Sequence, residues 1–393
     1  MSPNPLTLAA LATTAVPGLD VVGATEDGSD EHRSVIAARL SDESTVQVVL
    51  PRSVAALSSA TAHAAALGAL TLATRSRLPF EVPALLGTTP AGKSTLFVLT
   101  RLAGTPMRLA DISPARLGLA ESVGRAIAAI HELPTSVATD AGLPHESAQS
   151  LRARLLDTFD RAAATGAVPA ALLQRWESAL GDDQLWQFKP TLVHGDLQAP
   201  AFRIDGSEVV GLDGWHSLAI GDPARDLAFL LGSNEFGSVD QAFDAHAAAR
   251  GIGDRQVRQR AMLHAELEIA KWLLHGVDRA DAAIVDDAKG MLAGLVARVD
   301  ADPDAAIAPQ HLETMDLTGV QAYLGAASPA TGASEHATEV IDAPAGSAGS
   351  AGSAEAGAPP ADAPPAATAA GVEADRASVA DDDDRDDRAS ADR

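Results

Sequence analysis

The chain has 393 residues, of which 46% are hydrophobic, with a formal net charge of −24 and no cysteine. The negative charge argues against nucleic-acid and anionic-membrane partners, and no apolar run approaches the roughly 18 residues of a membrane span. The lack of cysteine excludes disulfides, thiolate metal sites and cysteine nucleophiles, and it suits the cytoplasmic location that we predict.

The first hundred residues predict a small antiparallel sheet accompanied by helices. Short runs rich in valine and isoleucine alternate with turn signals, whereas runs rich in alanine and leucine favour helices. The acidic stretch 26–31 is predicted to be a hairpin loop. The expected strands are Val21–Ala24, Ser34–Leu40, Thr45–Leu50 and Phe97–Thr100, and the expected helices are Pro5–Val16 and Val54–Leu72.

Beyond Pro106 long helical segments dominate, interrupted by a short β section from Leu192 to Leu212. The expected helices are Pro114–Leu133, Ala148–Ala164, Pro169–Leu180, Pro223–Leu231, Val239–Arg250, Asp254–Leu274 and Ala280–Val299. Strands followed by helices predict an α+β fold. We expect a small antiparallel-sheet N-lobe over residues 1–101 and a larger helical C-lobe over residues 102–325.

From about Ala326 the sequence consists mainly of alanine, glycine, serine, proline and aspartate, and it includes the charge block Asp381–Arg388. Such a segment cannot bury enough apolar surface to offset an ordering entropy of roughly 1–2 kcal/mol per residue. Residues 326–393 are therefore predicted to form a disordered acidic tail. A charged interaction tail is the functional alternative.

Three motifs follow one another in the second half of the chain. The first is His194–Gln198 (H-G-D-L-Q), the second is Val209–Trp215 (V-V-G-L-D-G-W) and the third is Gly221–Ala228 (G-D-P-A-R-D-L-A). In this order they resemble the signature of aminoglycoside and macrolide phosphotransferases, H-G-D-L-H-x-x-N, I-D-W and G-D-P-x-x-D-L-A. The resemblance extends over roughly Leu6 to Val299. It implies a two-lobed protein-kinase-like fold and magnesium-dependent transfer of the γ-phosphate of ATP or GTP to a hydroxyl group.

The resemblance assigns the catalytic role to Asp196, as the base or the group that orients the attacking hydroxyl. The alternative is that Asp196 is a retained loop residue that bonds backbone N–H groups. Asp222 and Pro223 suit the start of a helix. Asp226 lies near the same helix start and is expected to bond the catalytic loop.

Other positions depart from the family pattern. Ala201 stands where the family has a magnesium asparagine, and alanine offers no oxygen to a cation that prefers hard oxygen ligands. Val49 stands where a cation would hold the phosphates, and His63 stands where the glutamate partner of that cation belongs. Nearby Arg52 is interpreted as an exposed turn residue. The acidic hairpin loop would repel a triphosphate, so no cofactor-binding residue is assigned.

The aspartate that binds magnesium in the family is displaced here. Alignment on Trp215 puts the family position at Gly214, so that Asp213 lies one residue early. One residue reverses the side-chain direction in a strand, and Asp213 would then point away from the phosphates. A bulge at Gly214 could re-aim Asp213 toward the metal, and Asp213 is therefore kept as the candidate metal ligand.

A helix containing His264, Glu266, Glu268 and Lys271 is the expected wall of an acceptor site. Glu268 and Lys271 have the spacing of a surface ion pair. Glu266 would suit a cationic ligand, although an ordinary structural role is the preferred interpretation.

Three functional hypotheses follow from these residues. The first is a pseudokinase-like member that lacks ATP-dependent phosphotransfer, needs no cofactor and binds a small molecule or a protein partner. The second is an active small-molecule kinase, with Asp196 as base, Mg²⁺ and ATP or GTP as cofactors, and a hydroxyl of an antibiotic or metabolite as acceptor. The third is an interaction module that binds through its acidic tail. None of them involves nucleic acid or a membrane.

Overall fold

The structure is a computed structural model that describes residues 4–251, 253–301 and 307. All of the described residues belong to one compact unit of the chain. The predicted tail, 326–393, lies outside the described residues. Within the described part of the chain, no helix is long and apolar enough to cross a lipid bilayer.

A five-stranded antiparallel sheet forms the first lobe, with the strand order β1-β2-β3-β5-β4. Its strands are β1 (Val21–Glu26), β2 (Arg33–Leu40), β3 (Thr45–Pro51), β4 (Leu85–Ala91) and β5 (Ser94–Thr100). Apolar side chains alternate in β3, where Val46 and Val48 are buried. They share a core cluster with Leu8 and Ala12 of helix α1 (Pro5–Ala15), so that α1 contributes to the same core as the sheet.

The long helix expected over Val54–Leu72 is divided in two. Helix α2 (Val54–Ala69) begins at Ser53, whose hydroxyl accepts the N–H of Ala56. Thr71 then starts the short helix α3 (Leu72–Arg75), because its hydroxyl accepts the N–H of Thr74 at 3.2 Å. A threonine side chain that bonds the backbone locally competes with a continuous helix. Strand β4 was not expected either, since most of its residues are exposed and show no apolar alternation.

Seven α-helices dominate the described part of the second lobe. They are α4 (Leu119–His131), α5 (Ser136–Thr139), α6 (Ala148–Ala164), α7 (Ala170–Gly181), α8 (Phe236–Arg250), α9 (Val257–Asp278) and α10 (Ala282–Ala301). The segment Pro223–Gly232, expected to be a helix, is a 3-10 helix. The remaining strands are β6 (Thr105–Pro106), β7 (Thr191–Val193), β8 (Phe202–Asp205), β9 (Glu208–Leu212) and β10 (Ala219–Gly221).

The largest hydrophobic core belongs to both lobes. It contains Leu67 and Phe97 from the first lobe and Leu212 and Trp215 from the second. A second cluster joins α6, α7, α9 and α10. The α+β architecture, with an antiparallel sheet lobe and a helical lobe, is therefore as the sequence predicts.

A buried ion-pair network attaches α9 to the start of the Pro223–Gly232 helix. Asp222 accepts the Nε–H of Arg260 at 3.0 Å and lies 3.1 Å from Nε2 of His264, while it also caps the N–H of Ala224. The guanidinium of Arg260 also pairs with Asp254. Burial alone would raise the pKa of Asp222, but Arg260 and His264 lower it to about 2. Asp222 is therefore a buried, ionised carboxylate.

Candidate functional site

The first motif forms a tight turn directly after β7. Gly195 has a φ of +85°, and a Cβ at this position would lie 2.3 Å from the carbonyl oxygen of Ser217. Only glycine tolerates both the left-handed conformation and this close approach. The turn directs the backbone from the buried His194 to Asp196, whose side chain is 47% exposed.

Asp226 holds this turn by hydrogen bonds to its backbone, as predicted. Its carboxylate accepts the backbone N–H of His194 at 2.7 Å and that of Gly195 at 2.8 Å. The side chain is completely buried, and burial alone would raise its pKa; the hydrogen bond from His131 and the nearby histidines hold the pKa below its ordinary value. Hydrogen bonds from backbone N–H groups to an ionised carboxylate are charge-assisted and strong. The geometry of the loop therefore depends on Asp226.

A chain of two histidines continues from Asp226 to α8. His131 Nε2 lies 3.1 Å from Asp226 Oδ2, and His131 Nδ1 lies 2.9 Å from His246 Nε2. An ionised carboxylate only accepts, so His131 donates to it from Nε2, and its Nδ1 forms the second hydrogen bond with Nε2 of His246. Burial, with the neighbouring His131 and Arg250, lowers the pKa of His246 to about 3. The ring of His246 is therefore neutral at pH 7.

Asp196 is paired with a histidine that follows the second motif. His216 Nε2 lies 3.1 Å from Asp196 Oδ2. This hydrogen bond is the main cause that lowers the pKa of Asp196, and it raises the pKa of His216. The pair therefore favours a carboxylate bound to an imidazolium. Sequence reasoning missed His216, whose only signal is a titratable residue directly after Trp215.

Asp213 lies just beyond the end of β9 and is held through its backbone on both sides. Its N–H donates to the Ala201 carbonyl at 3.0 Å, and its carbonyl accepts from His194 Nε2 at 2.9 Å. Its carboxylate accepts the N–H of Gly214 at 2.8 Å and lies 3.6 Å from His63 Nε2 on α2. The side chain of Asp213 thus meets the first lobe at His63.

Gly214 and Ala201, which the sequence predicts to stand at the two magnesium positions, lie close to one another. Gly214 has a φ of +85°, and a Cβ built on it would lie 4.0 Å from the Ala201 Cβ and 3.6 Å from His194 Cε1. We refer to His63, His194, Asp196, Asp213 and His216 as the interlobe polar cluster. Among residues 4–251, 253–301 and 307, no three His, Cys, Asp or Glu side chains are grouped so that they could share a metal ion.

The two first-lobe positions predicted for the phosphate-binding cation and its partner, Val49 and His63, carry no positive charge. Val49 pairs with Val35 and Phe97 within the sheet and packs against the shared core. Burial lowers the pKa of His63, which the Asp213 carboxylate opposes only in part, so the imidazole is neutral at pH 7.

The acids of the hairpin loop are bound locally. Asp27 accepts from Arg101 at 3.2 Å. Asp30 accepts the backbone N–H groups of His32 and Arg33, each at 2.8 Å. Arg52 is exposed, as expected, and donates to the Asp30 carbonyl at 2.6 Å. These bonds keep the loop in place by contacts within the first lobe.

Most polar side chains of the expected acceptor wall are bound to other side chains of the protein. Glu266 is buried, with its carboxylate bound by Arg175 and by the indole N–H of Trp176 at 2.8 Å. His264 is bound to Asp222, and Glu268 pairs with Lys271 on the surface. The structural interpretation of Glu266 is therefore correct, and this carboxylate already has its cation.

Comparison with known proteins finds a family profile and several solved structures that are similar to this chain. Residues 26–264 match the sequence profile described as "phosphotransferase enzyme family". The apoenzyme of macrolide 2'-phosphotransferase MphH from Brachybacterium faecium is 23% identical and has a TM-score of 0.62, with 74% of this chain and 98% of that chain covered. A macrolide 2'-phosphotransferase type I is 26% identical, with a TM-score of 0.59 and coverage of 73% and 96%.

Two further matches differ in extent. The GDP complex of wild-type aminoglycoside 2'-phosphotransferase-IIIa is 16% identical, with a TM-score of 0.61 and coverage of 74% of this chain and 98% of that one. The uncharacterized protein YcbJ of Bacillus subtilis (strain 168) is 37% identical over 76 residues, which span 19% of this chain and 24% of that protein. The second match therefore covers only about a quarter of the relative's length.

Proposed function

The chain belongs to the phosphotransferase enzyme family, and from this premise we propose that it is a pseudokinase-like member without magnesium-dependent phosphotransfer. Its fold would instead bind a small hydroxylated molecule or a protein partner. One observation carries the proposal. The two positions from which the family would bind magnesium are Ala201 and Gly214, and neither residue offers a side-chain oxygen; a Cβ built on Gly214 would lie 4.0 Å from the Ala201 Cβ.

Magnesium and a nucleotide do not fit the residues that remain. The carboxylate of Asp213 is engaged by the Gly214 N–H and faces His63. Val49 is an apolar residue of the sheet, so it cannot neutralise phosphate charge. Phosphoryl transfer depends on the positioning of the phosphates and on positive charge around them. The replacement of the expected metal ligands and of the expected cation weakens both contributions in this chain.

Within the interlobe polar cluster, the acidic side chains lie beside histidines of the same cluster. In phosphotransferases, metal and phosphate-binding cations would compensate acidic side chains at this place. Here Nε2 of His216 lies 3.1 Å from Oδ2 of Asp196, and this hydrogen bond raises the pKa of the imidazole. An incoming hydroxyl that used Asp196 as base would have to displace this histidine. The pair supports a resting state in which the aspartate has no free role in catalysis.

The second candidate is an active small-molecule kinase. Its support is that Asp226 holds the loop before Asp196 by two short hydrogen bonds, and that Asp196 is ionised and partly exposed. The aminoglycoside relative was crystallised with GDP, and two relatives are named for macrolides. An active chain would by analogy use ATP or GTP with Mg²⁺ and a hydroxylated acceptor, with Asp196 as base and Asp213 as metal ligand.

Nucleotide binding distinguishes the two candidates. A ligand at about 100 times its dissociation constant stabilises a protein by about 2.7 kcal/mol, which raises the melting temperature by a few degrees. We expect no such rise with millimolar ATP or GTP in the presence of Mg²⁺, and no difference when the metal is left out. A clear rise that requires Mg²⁺ would contradict the pseudokinase proposal and favour the active kinase.

A further inference from the structure

An apolar cavity of about 340 Å³ opens in the first lobe, between the second half of α2, α3 and the beginning of β4. This volume is at the lower end of the roughly 300–1,000 Å³ of small-molecule sites. It is lined by Ala64, Leu67, Gly68, Leu70, Leu72, Arg75, Ala84 and Leu85. None of these residues belongs to the interlobe polar cluster.

The rim of the cavity exposes leucine side chains to solvent. Leu72 is 87% exposed, and Leu85 and its neighbour Leu86 are 37% and 40% exposed. Single apolar residues are common on protein surfaces, but Leu72 and Leu85 also line the cavity. A ligand with an aliphatic part would bury this surface, and each buried methylene contributes favourably to binding.

The cavity has one charged group, the guanidinium of Arg75. Its Nε donates to the Leu70 carbonyl at 2.6 Å, and its Nη2 donates to the Leu67 carbonyl at 2.9 Å. Its Nη1 donates to the carbonyls of Val82 and Pro83 at 2.7 and 2.8 Å. A guanidinium has five N–H groups, so one on Nη2 remains. No carboxylate pairs with Arg75 in the described ranges 4–251 and 253–301, and burial lowers its pKa.

The charge of Arg75 is therefore bound only by neutral carbonyls. A partly buried cation gains most from an anionic partner, and a carboxylate matches the fork of a guanidinium. We propose that this cavity binds a free aliphatic monocarboxylate, with its chain against Leu67, Leu70 and Leu85 and its carboxylate at the remaining N–H of Arg75. This site goes beyond the proposed function and does not depend on it.

Octanoate is the probe for this site, titrated into the full chain by isothermal calorimetry. We expect saturable binding that is at least about tenfold tighter than that of 1-octanol, because the alcohol cannot form the charge-assisted bond. Equal affinity for both compounds, or no saturable binding of octanoate, would overturn the proposal.

A cavity-filling variant locates the binding without disturbing Arg75, whose substitution would release four carbonyls. Gly68 lines the cavity, a Cβ there would have no other atom within 4 Å, and leucine favours a helix more than glycine does. Gly68→Leu is expected to weaken octanoate binding at least about tenfold, whereas Gly290→Leu on α10, also open to solvent, should leave it unchanged. Unaltered binding in Gly68→Leu would place octanoate elsewhere and refute the site. The nucleotide experiment has no bearing on this outcome.

Discussion

Replacing Asp222 with asparagine is expected to lower the free energy of unfolding by about 3–5 kcal/mol, the typical cost of breaking a buried ion pair. Asparagine keeps the shape of the side chain but removes the charge that compensates Arg260. The guanidinium of Arg260 is buried to the same degree as Asp222, and its remaining acidic partner is the more exposed Asp254. The loss should therefore be measurable by urea denaturation at pH 7.

The pH dependence gives this prediction a second readout. The pKa of Asp222 is about 2 in the folded protein, below the value of about 3.9 in an unfolded chain. Its stabilisation is thus fully present above pH 4 and is lost as the pH falls toward 2. The difference between the native chain and Asp222→Asn should shrink over this interval.

A surface carboxylate provides the control. Asp286 pairs with Lys289 at 3.3 Å and is largely exposed, so Asp286→Asn should change stability by less than about 0.5 kcal/mol. If Asp222→Asn changed the free energy of unfolding as little as Asp286→Asn does, the buried network would contribute little to the stability of the fold.

Rebuilding two oxygen ligands should create magnesium-dependent nucleotide binding. The double change Ala201→Asn with Gly214→Asp places an amide and a carboxylate on facing positions. Gly214 has a left-handed backbone, which aspartate and asparagine tolerate better than other side chains. We expect a gain of at least about tenfold in affinity for ATP or GTP with Mg²⁺, or about 1.4 kcal/mol.

The matched control carries Ala201→Asn with Gly214→Asn, which has nearly the same shape but no negative charge. It should show no dependence on Mg²⁺, because the metal lacks a carboxylate there. Asp213→Asn in the parent chain should change nothing in nucleotide binding. If instead the parent transfers phosphate and Asp213→Asn or Asp196→Asn abolishes the transfer, Asp213 is the metal ligand and the chain is an active kinase.

The two lobes and most of their elements could be predicted from sequence because their apolar patterns are regular. Helix α6 begins and ends where predicted, and β3 extends only one residue beyond its predicted end at Leu50. The predicted elements were wrong where a local hydrogen bond or strand pairing, rather than the apolar pattern, determines the structure. Thr71 interrupts a run that is otherwise helical, and β4 relies on pairing with β5 rather than on an apolar face.

The candidate site could be predicted only as far as the motifs reach. The anchoring of the loop by Asp226 follows from the motif, whereas the assignment of Ala201 and Gly214 to the magnesium positions stays a prediction. The pairing of the two acids could not be predicted, because His63 lies on α2, far from Asp213 in sequence, and the contact of His216 with Asp196 depends on how the loops fold. The catalytic role of Asp196 and the metal role of Asp213 stay predictions.

The hydrophobic core shared by both lobes also limits how the protein can move. Rotating the lobes apart as rigid bodies would separate Leu67 and Phe97 from Leu212 and Trp215, which belong to one cluster. Exposing apolar surface costs roughly 25 cal/mol per Å², so a wide hinge opening is strongly disfavoured. The hairpin loop 26–31 is held largely by exposed hydrogen bonds and can rearrange at lower cost. Motion in the first lobe is therefore expected to be a local rearrangement of this loop rather than a rotation of one lobe against the other.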